Sequence, residues 1–189
     1  MIPRSRYAEA VDLVKLVYET ISYGDPTDPE VVYGPQVSAV QRDRVLGLID
    51  KGIAEGARLV VGGGRPERFD RGYFVEPTLF VDVDPNSTIA QAEIFGPVLT
   101  ISPYDDVDHA VAIANNSSYG LAGSVWSNDE GAAIEVARRI RTGMISINGG
   151  MYYAPDLPAG GFKQSGLGRE SGIEGFEEFL ETKSIAVGE

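Results

Sequence analysis

Apolar residues recur at Tyr7, Val11, Val14, Tyr18 and Ile21, in steps of four, three, four and three that put all five on one helical face. Ser5 is placed to cap this helix, and Gly24-Asp25-Pro26 to stop it. A second helix is predicted from Ser38, which has capping-box spacing to Gln41. Its apolar face runs through Val45, Ile49 and Ile53, and Gly56 is placed to end it. Beyond it the period shortens. "RLVVGG" reads as a buried strand and "GGGRPERFDRG" as a surface loop. "YFVEPTLFVDV" reads as an extended stretch that Pro77 assigns to an edge or a bend.

Strand and helix then alternate. "PVLTISPY", "LAGSVWS" and "MISIN" are the strands; "DDVDHAVAIANNS" and "DEGAAIEVARRIRTG" are the helices, the second closed by Gly143. Alternation of this kind from Arg58 to Asn148 predicts an α/β fold with a mostly parallel sheet and flanking helices. After Asn148 comes a long glycine-rich connection with interleaved aromatics, "GGMYYAPDLPAGGFKQSGLGRESG", a length that points to a functional loop. A last helix, "IEGFEEFLE", leads to a strand, "TKSIAV". There is no internal repeat.

Charge narrows the function. The 189 residues carry a formal net charge of −12, which repels phosphate backbones and argues against nucleic-acid binding. The densest basic runs, Arg138-Arg139 with Arg141 and Arg42 with Arg44, read as solvated helix faces. No apolar run reaches the roughly 20 residues that span a bilayer, and "MIPRSRYAEA" has no apolar signal core. A cytoplasmic protein is the expectation. The sequence contains no cysteine, so it supplies neither disulfides nor a catalytic thiolate.

Most candidate sites have a plainer reading. His109, the only histidine, follows Asp105, Asp106 and Asp108 at a helix start and is expected to face solvent. The three aspartates lack the glycine hinge and distal glutamate of a calcium loop. "VVGGGRP" lacks the Gly-Lys-Ser/Thr ending of a phosphate loop and reads as a turn. "SGLGRESG" is a weak anion-site signal. In "AEIFGPV", Glu93 and Phe95 alone would read as a capping acid and a core ring.

The ordered set changes that reading. "AEIFGPV", "NNSSYGLAGSVWS", "TGMISING" and "PAGGFKQSGLGRESGIEGFEEFLETKSI", with "GDPTDPEVVYGPQVS" and "GYFVEPTLF" before them, resembles the C-terminal half of the NAD(P)-dependent aldehyde dehydrogenases over nearly the whole chain. The resemblance implies a catalytic-domain-like unit over residues 1–181 and an oligomerisation strand over 182–189. It implies that Glu93 holds the hydroxyls of the nicotinamide-side ribose, by strong charge-assisted bonds, and that Phe95 packs beside that ribose and the nicotinamide. Tyr153 and Ala159 fall in the aldehyde pocket; Ala159 replaces a larger aromatic, so a wider pocket is expected. Ala92 stands where many members have a second acid, a minor departure. Thr182 to Val187 match the strand that joins a neighbouring subunit's sheet.

In such enzymes a cysteine attacks the aldehyde, the adduct gives hydride to NAD or NADP, and a glutamate activates the water that releases the acid. The resemblance places that cysteine, that glutamate, the oxyanion-holding asparagine and the dinucleotide-binding domain upstream of Met1. The chain alone is therefore expected to be inactive, to need a cysteine-bearing N-terminal half, and to bind NAD or NADP only in the millimolar range, about −4 kcal/mol. Homo-oligomers through the terminal strand or an apolar face are expected. The alternative is a non-enzymatic oligomerisation or regulatory module that joins full-length relatives.

Overall fold

The computed structural model describes residues 1–150 and 154–188. They fold as two compact units, Met1–Ala110 and Val111–Glu189.

The first unit is built around the four-residue strand β3 (Thr78–Val81), every residue of which is buried. It pairs antiparallel with β2 (Arg58–Val61) and parallel with β4 (Val98–Ile101), so it lies in the middle of a three-stranded sheet. Alternate side chains leave opposite faces. Phe80 enters a cluster with Val45 and Ile49 of helix α2 (Ala39–Ala54), while Leu79 and Val81 meet Val11 of helix α1 (Tyr7–Thr20). The sheet is thus sandwiched between the two amphipathic helices. Complete burial of a side chain such as Phe80 contributes roughly 1.5–3 kcal/mol.

Four expectations change here. Pro77 does not put its strand at an edge; it precedes Thr78, where the missing N–H costs nothing, and Thr78 N–H takes up Pro97 O at 2.8 Å. The β2–β3 pair is antiparallel because the 16 residues between them contain no crossover helix. Ser5 does not cap α1: a single 3-10 turn, Arg4–Arg6, leads into it, and no side-chain cap bond forms. Ile53, assigned to the core face of α2, is 47% exposed, since the buried stripe runs from Val45 and Ile49 to Gly52 and leaves Ile53 beside it. A short parallel pair, β1 (Ile2–Pro3) with β5 (Pro103–Tyr104), and the four-residue helix α3 (Thr88–Gln91) complete this unit.

Helix α4 (Val107–Asn115) crosses the boundary between the units. In the second unit β6 (Ala122–Val125) and β7 (Met144–Ile147) pair in parallel, joined by α5 (Glu130–Arg139) as crossover. Asp129 caps α5 by accepting the Ala132 N–H at 3.0 Å, and Ala133 and Ala137 form its buried face. The last helix, α6 (Gly172–Glu177), is shorter than predicted. Residues 181–188 belong to no helix or strand. Ile185 and Val187 there are 82% and 90% exposed; the strand predicted for them has no partner edge among the described residues.

Candidate functional site

The segment 93–95 leaves α3 and approaches β4 with an in-out pattern. Ile94 is buried in the cluster with Val45 and Ile49, while Glu93 and Phe95 on either side of it face outward. Phe95, read in isolation as a core ring, is 72% exposed. Its φ is +54°, a left-handed backbone that costs a non-glycine residue about 1–3 kcal/mol unless neighbours enforce it. Among the described residues the Glu93 carboxylate has no hydrogen-bond or ion-pair partner. An unpaired acid able to accept hydrogen bonds and an exposed, backbone-strained ring thus lie two residues apart on the surface.

What enforces this geometry lies on α2. The Gln41 side-chain amide donates to Phe95 O at 2.8 Å and to Ile94 O at 3.3 Å. The Arg44 guanidinium donates to Ile94 O and Glu93 O, both at 2.6 Å. These residues correct two sequence expectations. Ser38 does accept the Gln41 backbone N–H at 3.2 Å, yet the Gln41 side chain does not return to close a capping box. Arg44 is not merely part of a solvated basic face. Their three-residue spacing on one helical face is the signal that the sequence offered.

The other candidates resolve as turns and surface groups. Gly62 and Gly63 take φ of +66° and +108° in the loop after β2, the turn expected of "VVGGGRP". His109 is 40% exposed in its side chain; its Nδ1 accepts the Asp105 N–H at 3.3 Å, and among the described residues no hydroxyl nucleophile is bonded to it. In "SGLGRESG", Arg169 donates to the carbonyls of Gly161 and Gly168 and stacks over Phe162, so its donors are directed to the chain itself. Among the described residues no cluster of three or more His, Cys, Asp or Glu is placed to hold a metal. No described helix is long and apolar enough to cross a membrane.

With this geometry in place, the comparisons decide the family. The sequence profile of the aldehyde dehydrogenase family matches residues 1–185. The chain belongs to the aldehyde dehydrogenase family. A geranial dehydrogenase of Castellaniella defragrans is 50% identical over 187 residues, which are 98% of this chain and 38% of that protein. A Staphylococcus saprophyticus relative is 49% identical over 98% of this chain and 39% of its own length. Among solved structures, a Mycobacterium tuberculosis aldehyde dehydrogenase complexed with NAD+ is 53% identical with a TM-score of 0.92, covering 99% of this chain and 38% of that one. The C291A form of Pseudomonas syringae aldehyde dehydrogenase C, with NAD+ and octanal, is 47% identical with a TM-score of 0.90, over 97% of this chain and 38% of that one. The chain thus spans about two fifths of the length of these aldehyde dehydrogenases.

Two residues, Tyr153 and Ala159, are expected from the sequence to face an aldehyde pocket. Tyr153 lies outside the described residues. Ala159 is buried and pairs antiparallel with Glu170 through two backbone bonds of 2.7 Å. It lines a cavity of about 450 Å³ together with Leu121, Met144, Gly161, Arg169 and Phe179. A small side chain here leaves that space open.

Proposed function

We propose that this chain supplies the nicotinamide-side part of an aldehyde dehydrogenase site and that its 189 residues do not by themselves oxidise aldehydes. The observation that carries the reading is the Glu93–Phe95 pair: an unpartnered carboxylate and a 72% exposed ring, two residues apart on a segment where Phe95 has a left-handed backbone. These groups fit the nicotinamide end of a dinucleotide. Glu93 accepts the two ribose hydroxyls, and Phe95 limits where the ring can lie. NAD, or its phosphorylated analogue, supplies the hydride acceptor; the NAD+ complexes of the solved relatives support the first. Tyr153 and Ala159 belong to the aldehyde side in this reading.

The thiolate is what these residues lack. With no cysteine in the sequence, the carbonyl-attacking group has to come from another stretch of polypeptide, and among the described residues His109, the only histidine, has no hydroxyl bonded to its ring to serve as a replacement. Loss of a covalent nucleophile removes several powers of ten in rate. The test is direct: the purified chain, given aldehydes of several lengths with NAD or NADP, yields no reduced dinucleotide, and adding a separately expressed N-terminal portion of a relative restores it. Turnover by the chain alone would overturn the reading. A second reading, an oligomerisation module that joins longer relatives, is favoured by the exposed Ile185 and Val187. Capture of a full-length relative without any rescue of turnover would favour that one.

A further inference from the structure

Strand β7 ends in a tight turn with Asn148 at φ +52° and Gly149 at φ +81°, closed by the Gly150 N–H on Ile147 O at 3.2 Å. Two successive left-handed residues favour Asn-Gly. A side chain at Gly149 is doubly excluded, since a Cβ there would also lie 2.7 Å from the Trp126 ring. The turn thus selects the dipeptide whose amide reacts most readily with its own backbone, because no side chain shields the following nitrogen. Asn148 is the only asparagine in the sequence that precedes a glycine. We propose that Asn148–Gly149 is a site of spontaneous deamidation, and that the conversion releases the end of the β6–β7 pair.

Both residues are exposed, and the Gly149 N–H makes no hydrogen bond to the described residues. In the reaction the deprotonated Gly149 nitrogen bonds to Asn148 Cγ, and the Cγ–Nδ2 bond breaks. Ammonia leaves with the proton that the nitrogen gave up. Water then opens the cyclic imide at one carbonyl or the other, leaving aspartate or isoaspartate. Nothing is oxidised or reduced, and water is the only co-reactant.

The bonds of the intact amide set the consequence. Its Oδ1 accepts the Ser127 N–H at 2.9 Å, and its Nδ2 donates to Ser127 O at 3.0 Å. The side chain thereby extends the parallel pairing one step past Val125 and Ile147. Ser127 in turn accepts the Asp129 N–H on its hydroxyl at 3.1 Å, and Asp129 caps α5. A carboxylate has no hydrogen to give. It keeps the bond from the Ser127 N–H but sets its second oxygen against Ser127 O, acceptor facing acceptor. Isoaspartate adds a backbone atom and breaks the turn closure as well.

The experiment ages the full 189-residue chain at neutral pH, native and in urea, and follows its tryptic peptides by mass. Cleavage after Arg141 and Lys163 isolates residues 142–163, whose only side-chain amide is Asn148; the other four asparagines lie together in peptide 72–138. Peptide 142–163 is expected to convert to the acid first. It should do so about tenfold more slowly in the native chain than in urea, because the bonds to Ser127 must open before the amide can turn to Gly149. Asn148→Gln, whose longer side chain closes a ring far less readily, should stay unconverted. The acid form, separated by its added charge, should exchange the amides of Asn148, Gly150 and Ala132 faster, with those of β3 unchanged. Peptide 142–163 converting no faster than 72–138 in the native chain would overturn the site. Equal rates in the native and the unfolded chain, or unchanged exchange in the acid form, would overturn the hold through Ser127. Where the aged acid form is too scarce to measure, Asn148→Asp supplies the same carboxylate for the exchange comparison.

Discussion

Gly96 lies directly against Val45: a Cβ built on Gly96 would be 2.7 Å from Cγ1 and 2.8 Å from Cγ2 of that fully buried valine. The turn after Phe95 is therefore seated on α2 by the absence of a side chain. Gly96→Ala is expected to destabilise the first unit by about 1–3 kcal/mol, the usual cost of overpacking. Calorimetry should show a lower unfolding midpoint, and a value equal to that of the unsubstituted chain would mean that Val45 has room to yield.

Gly47, on the same helix, behaves in the opposite way. It is exposed within α2, and no atom lies within 4 Å of a Cβ built on it. Alanine there gains helix propensity and clashes with nothing, so Gly47→Ala should stabilise by roughly 0.5–1 kcal/mol. Chemical denaturation of the two variants side by side separates packing from propensity on a single helix; a loss at both positions would refute the assignment for Gly47.

How far the sequence reached depends on the range of the interaction. Helix faces set by periodicity were legible: Val11, Val45 and Ile49 are in the core as their spacing predicts. So was the helix–strand alternation around α5, which local capping by Asp129 supports. The antiparallel β2–β3 pair was missed, although the helix-free loop "GGGRPERFDRG" between the two strands already left no crossover for a parallel pair. The exposure of Phe95 was not legible from its ring either. It follows from the bonds of Gln41 and Arg44 to a segment 49 to 54 positions away; from their own neighbourhood these two read as a cap and a charged face.

That exposure makes Phe95 an informative substitution. A core ring costs about 3–5 kcal/mol when removed. Phe95→Gly loses little buried area and relieves the left-handed backbone, against a glycine entropy cost of about 0.5–1 kcal/mol. Stability should change by less than about 1 kcal/mol, while affinity for nicotinamide mononucleotide falls. A large loss of stability would return the ring to a structural role.

Glu55 links the end of α2 to the start of α3. Its carboxylate accepts the Thr88 hydroxyl and the Thr88 N–H, both at 2.7 Å, where Ser87 makes no side-chain cap bond. The hydroxyl bond, followed by the backbone bond, holds its pKa below the ordinary glutamate value. A depressed folded pKa means stabilisation that is present above the unfolded value, near 4.3, and lost as pH falls through the folded one. Carbon-13 NMR titration should place the Glu55 midpoint below the other glutamates, and Thr88→Val should return it towards them. A midpoint at or above the ordinary value would refute the link.

The terminal segment tests self-association. Residues 181–188 add no helix or strand to the chain, and Ile185 and Val187 are almost wholly exposed, so they contribute little to the fold. An unpaired segment with apolar side chains at alternate positions is suited to adding to a sheet edge in another molecule. Removing residues 182–189 should therefore change unfolding free energy by less than about 0.5 kcal/mol yet shift sedimentation towards monomer. Replacing Ile185 and Val187 with lysine should do the same without shortening the chain, since charge on a pairing strand opposes edge-to-edge assembly. Equal association in all three forms would remove the segment from the interface and leave the apolar helix surfaces of the first unit, Leu13, Leu16 and Val17 on α1, as the contact to test next.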